Sequence, residues 1–250
     1  ALRRLDKAGV HVVLCSGRPT PNMVRTARSI FDSHRPHYVI SYNGAIVREV
    51  EGDTEISRRG VGLDVAREIV SYAREQGLMA QYYHDDEFFV ETEDPRADAY
   101  SEASGLPHRA VGPLEDFMDQ ESPKLLMHGS ADELPAHLET LRARSQGRWN
   151  TTISKPTYLE VLNPAVDKGR AMLEIADYLG ISRSELVAVG DSINDMEMLK
   201  DAAVGVAVAN ARDEVKAVAD IVTELNGADG AIAEVAEQLF SIYSDASSGT

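Results

Sequence analysis

Two carboxylates and an amide follow one apolar segment near the end of the chain. The segment LVAVG reaches Gly190, and Asp191, Asn194 and Asp195 come within the next five residues. Carboxylate oxygens suit Mg²⁺, which takes one or two of them together with water and phosphate oxygens. Taken alone, the same residues would equally suit the first turn of a helix, where acids and capping amides are favoured. The stretch is therefore either a metal site or a helix start, and its surroundings must decide.

Three further segments place polar groups where a strand ends or a helix begins. They are Ser16-Gly17-Arg18 after VHVVLC, Asn43-Gly44 after HYVIS, and Asp167-Lys168-Gly169 before an amphipathic stretch. A hydroxyl, an accessible glycine N–H, a lysine ammonium and an amide can all bind phosphate oxygens. Each segment alone is an ordinary turn or helix start, and Asn-Gly is a hairpin signal. Their joint occurrence favours a site for a phosphoryl group and a metal.

Alternating strand and helix patterns would bring these segments together. The chain opens as helix, strand, helix and strand, and the alternation returns beyond about residue 163. The strands are short and nearly all apolar, which is typical of a parallel sheet buried on both faces. Ligands of such sheets bind beyond the carboxyl ends of the strands. If the strands are parallel, all four segments lie on one rim of the sheet.

The middle of the chain has a different character. Aromatic strands, a hairpin signal at Asp85-Asp86 and irregular alternation mark the segment between the two alternating parts. We therefore predict an α/β protein whose Rossmann-like, doubly wound parallel-sheet core is formed by two sequence pieces, residues 1–51 and 163–250. Residues 52–162 would form an inserted α+β domain.

Aromatic residues of the insert are candidates for contacting a ligand. Packing within the insert is the favoured interpretation for its hairpin, and His84 has no partner at a spacing useful for a metal. Trp149 suits packing and stacking on a ligand equally well. The hairpin candidates are Tyr82, Tyr83, His84 and Phe88.

The composition indicates which cellular compartment and which classes of binding partner to expect. The net charge is −16 over 250 residues, and a field of that sign disfavours nucleic acid and anionic membrane surfaces as partners. No apolar run approaches the ~20 residues of a membrane span, and no signal peptide opens the sequence. The single cysteine, Cys15, fits a reducing cytosol, and its apolar run favours a core role over a nucleophilic one. We expect a cytoplasmic protein, and the sequence carries no signal of its oligomeric state.

The quoted segments carry a resemblance. CSGRP, YNGA, DKG and GDSINDMEML resemble motifs of the haloacid dehalogenase (HAD) superfamily, most of all its Cof-type phosphatases with a large α/β cap inserted after the second motif. The similarity extends over nearly the whole chain, including VGVAVANA and NGADG. It implies Mg²⁺-dependent hydrolysis of a small phosphorylated metabolite, such as a sugar phosphate, through an aspartyl-phosphate.

The resemblance assigns phosphate-binding roles to five residues. Ser16 would bind the transferring phosphoryl group with help from the backbone of Gly17, and Asn43 would lie near that group. Lys168 would neutralise charge on the phosphate and the nucleophile, and Asn194 would contact the phosphate.

The resemblance also implies a metal site. Asp191 would bind Mg²⁺, and Asp195 would orient that site or share it. The residues expected to take part in catalysis are Ser16, Lys168 and Asp191.

One motif of the family is absent from the sequence. The Asp-x-Asp that supplies the family's nucleophile and general acid/base has no counterpart, since Asp6, Asp53 and Asp85-Asp86 lie in the wrong settings. Either the nucleophile lies in a segment upstream of residue 1, or the protein is a pseudo-enzyme that keeps a phosphate pocket. We favour the first, because every other site group fits one reaction. Residues 1–250 would then be inactive alone, and the sheet would expose two apolar strand edges.

Three functions therefore stay open from the sequence. They are a Mg²⁺-dependent phosphatase, a non-catalytic phosphometabolite-binding protein, and a phosphotransferase or mutase on the same fold. Fold analogy does not choose among them, because function resides in the site. The substrate is not identified, although its recognition is expected in the cap, which in this family closes over the site.

Overall fold

The computed structural model describes residues 1–32 and 34–247, and the strands of this part form three sheets. The strands, in chain order, are β1 (Val13–Cys15), β2 (Tyr38–Ser41), β3 (Ile46–Glu49), β4 (Glu55–Arg58), β5 (Met79–His84), β6 (Glu87–Val90), β7 (His108–Ala110), β8 (Leu125–His128), β9 (Asn150–Lys155), β10 (Tyr158–Leu162), β11 (Val187–Gly190), β12 (Val204–Ala207) and β13 (Ile221–Val222). The α-helices are α1 (Leu2–Lys7), α2 (Thr20–Ile30), α3 (Leu63–Glu75), α4 (Pro95–Ser104), α5 (Leu114–Phe117), α6 (Leu134–Ser145), α7 (Lys168–Leu179), α8 (Met196–Asp201), α9 (Asp213–Lys216) and α10 (Ala231–Ser247).

The first core sheet has the strand order β1-β2-β3-β4. β1 and β2 are parallel and are joined through α2, as the alternating pattern predicts. The sequence HYVISYNGAIV forms two antiparallel strands, β2 and β3, which agrees with the hairpin signal of Asn43-Gly44. The chain reverses there because Asn43 has φ 61° and Gly44 has φ 104°, left-handed conformations that these residue types tolerate.

β4 belongs to the same sheet, although its residues lie in the segment predicted as the insert. The change in composition puts the boundary at residues 51 and 52, but β4 pairs antiparallel with β3. Membership of a sheet is set by backbone pairing and not by composition, so the chain leaves the core sheet only after Arg58. The remainder of the predicted domain division stays a prediction.

The second core sheet has the order β11-β12-β13, and its strands are all parallel. The crossover segments contain α8 and α9, so the alternation predicted for this part of the chain is present. α7 packs on the first core sheet, where Ala171 and Ile175 share an apolar cluster with Tyr38, Ile40 and Val47. The architecture is therefore an α/β, Rossmann-like core in two sequence pieces with an inserted α+β cap.

The cap sheet has the order β7-β6-β5-β8-β10-β9 and is antiparallel except for the pair β6 and β7. One face packs on α3 and α6 and is apolar. The aromatic candidates of the sequence pack on both faces of this sheet, Tyr82 and Trp149 on the helix side and Tyr83 and Phe88 on the opposite side. All four are at most 2% exposed, which confirms the packing interpretation for them. None of the helices in the described ranges combines the length and apolar character that crossing a bilayer requires.

A buried ionic cluster holds α1 against the entry to β2. Asp6 is 3% exposed, and its Oδ1 accepts a hydrogen bond from Arg35 Nε at 2.7 Å and lies 3.1 Å from His37 Nε2. The other ring nitrogen of His37 lies 2.8 Å from Glu51 Oε1. Burial raises the pKa of Asp6, but the hydrogen bonds from Arg35 and His37 outweigh it, so the pKa lies below its usual value.

We expect Asp6→Asn to lower the free energy of unfolding by about 3 kcal/mol at neutral pH, because it leaves buried partners unpaired. A lowered carboxyl pKa stabilises the fold above the unfolded pKa, and this contribution is lost as pH falls through the folded pKa. The difference from wild type should therefore shrink below about pH 4, measured by urea unfolding at several pH values. Asp53→Asn, at a carboxylate that is 75% exposed, is the control. A pH-independent difference would contradict the prediction.

Candidate active site

Lys168 and Asp195 form a buried ion pair at the rim of the core sheets. Lys168 Nζ donates to Asp195 Oδ1 at 2.6 Å, and the two residues are 6% and 4% exposed. Lys168 is the first residue of α7, and Asp195 ends the 3-10 turn that follows β11. The other oxygen, Oδ2, accepts from the backbone N–H groups of Asp191 and Ser192 at 3.0 Å each. The pair joins two of the four segments singled out in the sequence.

Two glycines permit the close approaches of backbone that this arrangement needs. A Cβ at Gly190 would lie 2.5 Å from the Cβ of Asp195. A Cβ at Gly44 would lie 2.3 Å from the carbonyl oxygen of Asp167, so the turn after β2 rests directly on the start of α7. Larger side chains at these positions would separate the segments.

The other two segments meet through Asn43. Asn194 Nδ2 donates to Asn43 Oδ1 at 2.8 Å, and Asn43 N donates to the carbonyl oxygen of Ser16 at 3.1 Å. A Cβ at Gly17 would lie 2.8 Å from Asn43 Oδ1. All four segments therefore lie together at the rim, and the roles that the resemblance implies for their side chains stay predictions.

Asp191 is the carboxylate at the rim that is free to bind a cation. It is exposed, and within the described part of the chain its side chain makes no hydrogen bond or ion pair. Asp195 differs, because Lys168 and two backbone N–H groups already engage both of its oxygens. The described residues hold no group of three or more His, Cys, Asp or Glu side chains arranged for a metal. The donor set therefore fits Mg²⁺ bound by Asp191 with water and phosphate oxygens, and it fits Asp195 as an orienting residue.

A cavity of about 950 Å³, here called the interstrand cavity, lies between the two core sheets. β1 and β11 are edge strands of their sheets within the described residues, and both line this cavity. Its walls are apolar along the strands and polar where the strands end, at Ser16, Lys168, Asp191 and Asp195. The two open apolar edges expected from the sequence are thus present and face one cavity.

Cys15 lines the interstrand cavity and does not resemble a nucleophile. Burial raises the pKa of its thiol to about 12, although the nearby Lys168 ammonium acts in the opposite direction. The side chain is therefore a neutral thiol at physiological pH, in agreement with the core role favoured by its apolar run.

A second cavity, of about 420 Å³ and here called the cap cavity, lies between the rim and the cap. Ser16, Gly17 and Asn194 line both cavities. The cap residues that line this cavity were not predicted from the sequence. The available signal was Glu160, an acid inside the apolar strand YLEVL. The cap residues in the wall are Tyr100, Ala103, Ser104, Lys124, Ser154, Lys155, Tyr158 and Glu160.

We expect Gly190→Ala to destabilise the fold by roughly 1–3 kcal/mol, because the added methyl group overlaps Asp195. The measurement is the free energy of unfolding from denaturant titration. Gly227→Ala is the matched control, since a Cβ there would have its nearest contacts at 3.9 Å. Equal effects of the two substitutions would contradict the close approach of Gly190 and Asp195.

Comparison with known proteins agrees with this geometry. The family model for haloacid dehalogenase-like hydrolases matches residues 1–235. The phosphoglycolate phosphatase of Methanoculleus marisnigri is 31% identical over 249 residues, which cover 94% of this chain and 84% of that protein. The 5-amino-6-(5-phospho-D-ribitylamino)uracil phosphatase YitU of Bacillus subtilis is 26% identical over 255 residues, which cover 96% of this chain and 89% of that protein.

Solved structures show the same fold. A haloacid dehalogenase-like hydrolase from Bacteroides thetaiotaomicron superposes with a TM-score of 0.87 at 28% identity, covering 95% of this chain and 90% of that one. A HAD/COF-like hydrolase from Plasmodium vivax, at 21% identity, superposes with a TM-score of 0.82 over 96% of this chain and 87% of its own. The chain therefore belongs to the haloacid dehalogenase-like hydrolases, in their Cof-type branch.

Proposed function

We propose that this protein is a Mg²⁺-dependent phosphatase that hydrolyses a small phosphorylated metabolite, such as a sugar phosphate. The observation that carries the proposal is the convergence of Lys168, Asp195, Asn43 and Asn194 beside Ser16. In a chain with a net charge of −16, an anion needs local donors and positive charge, and this rim supplies both. The named phosphatases among the relatives support the same reaction class.

The phosphoryl group would be held by side chains and backbone of the rim. The Ser16 hydroxyl and the Gly17 N–H would donate to its oxygens, and Asn194 would add an amide donor. Lys168 would balance negative charge at the first turn of α7, where the helix dipole also favours an anion. Asp195 keeps the Lys168 ammonium in place through the 2.6 Å contact.

Asp191 would hold Mg²⁺, and the bound ion would neutralise charge on the phosphate oxygens. Asp195 would support this site indirectly, because its Oδ2 fixes the backbone N–H of Asp191 itself. The backbone carbonyl of Asp191 is also held, by a hydrogen bond from Arg212 N at 3.3 Å. The Asp191 carboxylate would thus project from a segment that is fixed on both sides.

We propose that the nucleophile lies upstream of residue 1, on an extended segment that fills the interstrand cavity. A strand parallel to β1 and β11 would satisfy both open edges and would end beside Ser16, Lys168 and Asp191. A carboxylate oxygen at that end would attack phosphorus and release the substrate alcohol. Water would then hydrolyse the acyl phosphate, which releases inorganic phosphate and restores the carboxylate.

We expect the gene product that includes the upstream segment to hydrolyse p-nitrophenyl phosphate with Mg²⁺, and chelation to abolish turnover reversibly. Asp191→Ala should lower kcat/KM by about 100-fold or more, because it removes the metal ligand. Asp132→Ala, at an exposed acid that lines neither cavity, is the control. Tight phosphate binding without turnover in the metal-loaded protein would favour the binding-protein alternative. Transfer of the phosphoryl group to a second sugar would indicate a phosphotransferase.

The upstream strand has a signature that does not depend on activity. Compared with residues 1–250 alone, the longer protein should protect the backbone amides of β1 and β11 from hydrogen exchange, since both edges become paired. β12, already paired on both sides, should change little and serves as the internal control. Unchanged exchange at β1 and β11 would rule out this position for the strand.

A further inference from the structure

The face of the cap sheet opposite its helices carries a second apolar cluster, and it also carries buried polar residues. Leu125, Leu159 and Val161 belong to the apolar cluster with α3 and α6. Side chains alternate along a strand, so Glu160 must point to the opposite face. Its register partner on β8 is Leu126, which lies outside that cluster. This opposite face lines the cap cavity and is turned towards the rim.

Lys124 and Glu160 form a buried ion pair on this face. Lys124 Nζ donates to Glu160 Oε1 at 2.8 Å, and the residues are 3% and 5% exposed. The rings of Tyr42 and Tyr83 lie 5.9 Å and 5.3 Å from the ammonium. Burial lowers the pKa of Lys124, but Glu160 and Tyr100 together outweigh it, so the pKa lies above its usual value. Apolar residues of similar shape would stabilise a cap at least as well, so the pair calls for a functional explanation.

The pair retains hydrogen-bonding capacity towards the cap cavity. Lys124 and the hydroxyl of Ser154 both donate to Glu160 Oε1, the latter at 2.9 Å. Within the described residues, Glu160 Oε2 takes part in no hydrogen bond. An ammonium has three donors, and Glu160 and the Tyr100 hydroxyl are its two hydrogen-bonding neighbours, so one donor of Lys124 is left for a ligand. An acceptor and a donor thus lie side by side, which matches two neighbouring hydroxyl groups: one donates to Oε2 and the other accepts from Nζ.

The charges of the wall disfavour a carboxylate at this position. Glu160 cancels the charge of Lys124 and would repel a second carboxylate at contact distance. The other cations of the cap cavity, Arg18 and Lys155, are exposed, where they can attract an approaching phosphate but cannot fix a buried group. A neutral hydroxyl group would meet no such repulsion at this wall.

We propose that Lys124 and Glu160 bind two neighbouring hydroxyl groups of the substrate's alcohol part, so that the substrates are polyol or sugar monophosphates and not phosphorylated acids. This inference rests on the phosphatase function proposed above. The rim holds the phosphoryl end, and the cap pair selects the alcohol that carries it.

The assignment is tested by calorimetry, in which phosphate esters are titrated into residues 1–250 in the presence of Mg²⁺. sn-Glycerol 3-phosphate and n-propyl phosphate differ only in two neighbouring hydroxyl groups. Wild type should bind the glycerol compound about tenfold more tightly, the scale of one hydrogen bond to a charged group. Glu160→Gln should remove this preference and leave the Kd of propyl phosphate and of inorganic phosphate within about twofold. Glu174→Gln, which breaks an ion pair with Arg59 and lines neither cavity, is the matched control.

Folding is checked separately, because Glu160→Gln leaves a buried ammonium without its carboxylate. The double variant Lys124→Met/Glu160→Leu removes both charges and should keep the wild-type Tm while losing the preference for hydroxyl groups. If wild type binds inorganic phosphate but binds both esters equally well, the inference is wrong and the proposed function still stands. A second result would also overturn the inference. If the Kd of 2-phosphoglycolate for Glu160→Gln is lower than the Kd of sn-glycerol 3-phosphate for wild type, the substrate is a phosphorylated acid. Failure of inorganic phosphate to bind wild type would overturn the proposed function itself.

Discussion

The ion pair between Lys168 and Asp195 is the contact on which the rest of the site depends. Both groups are buried, and a buried charge without its partner costs about 3–5 kcal/mol, so neither position can change alone without loss. The pair ties the start of α7 to the loop after β11, and the same carboxylate holds the backbone N–H of Asp191. Gly190 is required beneath it, because a side chain there would overlap Asp195. The Asp195 carboxylate therefore positions the Lys168 ammonium, the loop after β11 and, through that loop, Asp191.

In the proposed function, the core would bind the phosphoryl group and the cap would bind the rest of the substrate. The rim offers hydroxyl, amide, ammonium and backbone donors, which suit the phosphoryl group common to all phosphate monoesters. The cap contributes a sheet with an apolar cluster on each face, and the face away from its helices also carries the Lys124–Glu160 pair. Ser16 and Asn194 line both cavities and so lie where the two parts of a substrate would join.

The two core sheets share a feature that links fold and chemistry. β1 and β11 present open edges to the interstrand cavity, and open strand edges are costly unless they are covered or paired. The polar end of this cavity coincides with Ser16, Lys168 and Asp191. A strand that completed the sheet would therefore also deliver its last side chains to the site, so folding and catalysis would be completed by the same segment.

The sequence by itself determined the local features. Hydrophobic runs indicate most of the core strands, Asn43-Gly44 predicts a chain reversal, and GDSIND marks a strand end with chemistry, because these signals depend on neighbours a few residues apart. Only the tertiary structure decided that β4 pairs with the core sheet and that Lys124 forms an ion pair with Glu160. It also decided that both carboxylate oxygens of Asp195 accept hydrogen bonds, from Lys168 and from backbone N–H groups. Those contacts join residues far apart in the chain and depend on strand order and register, which no short window of sequence encodes.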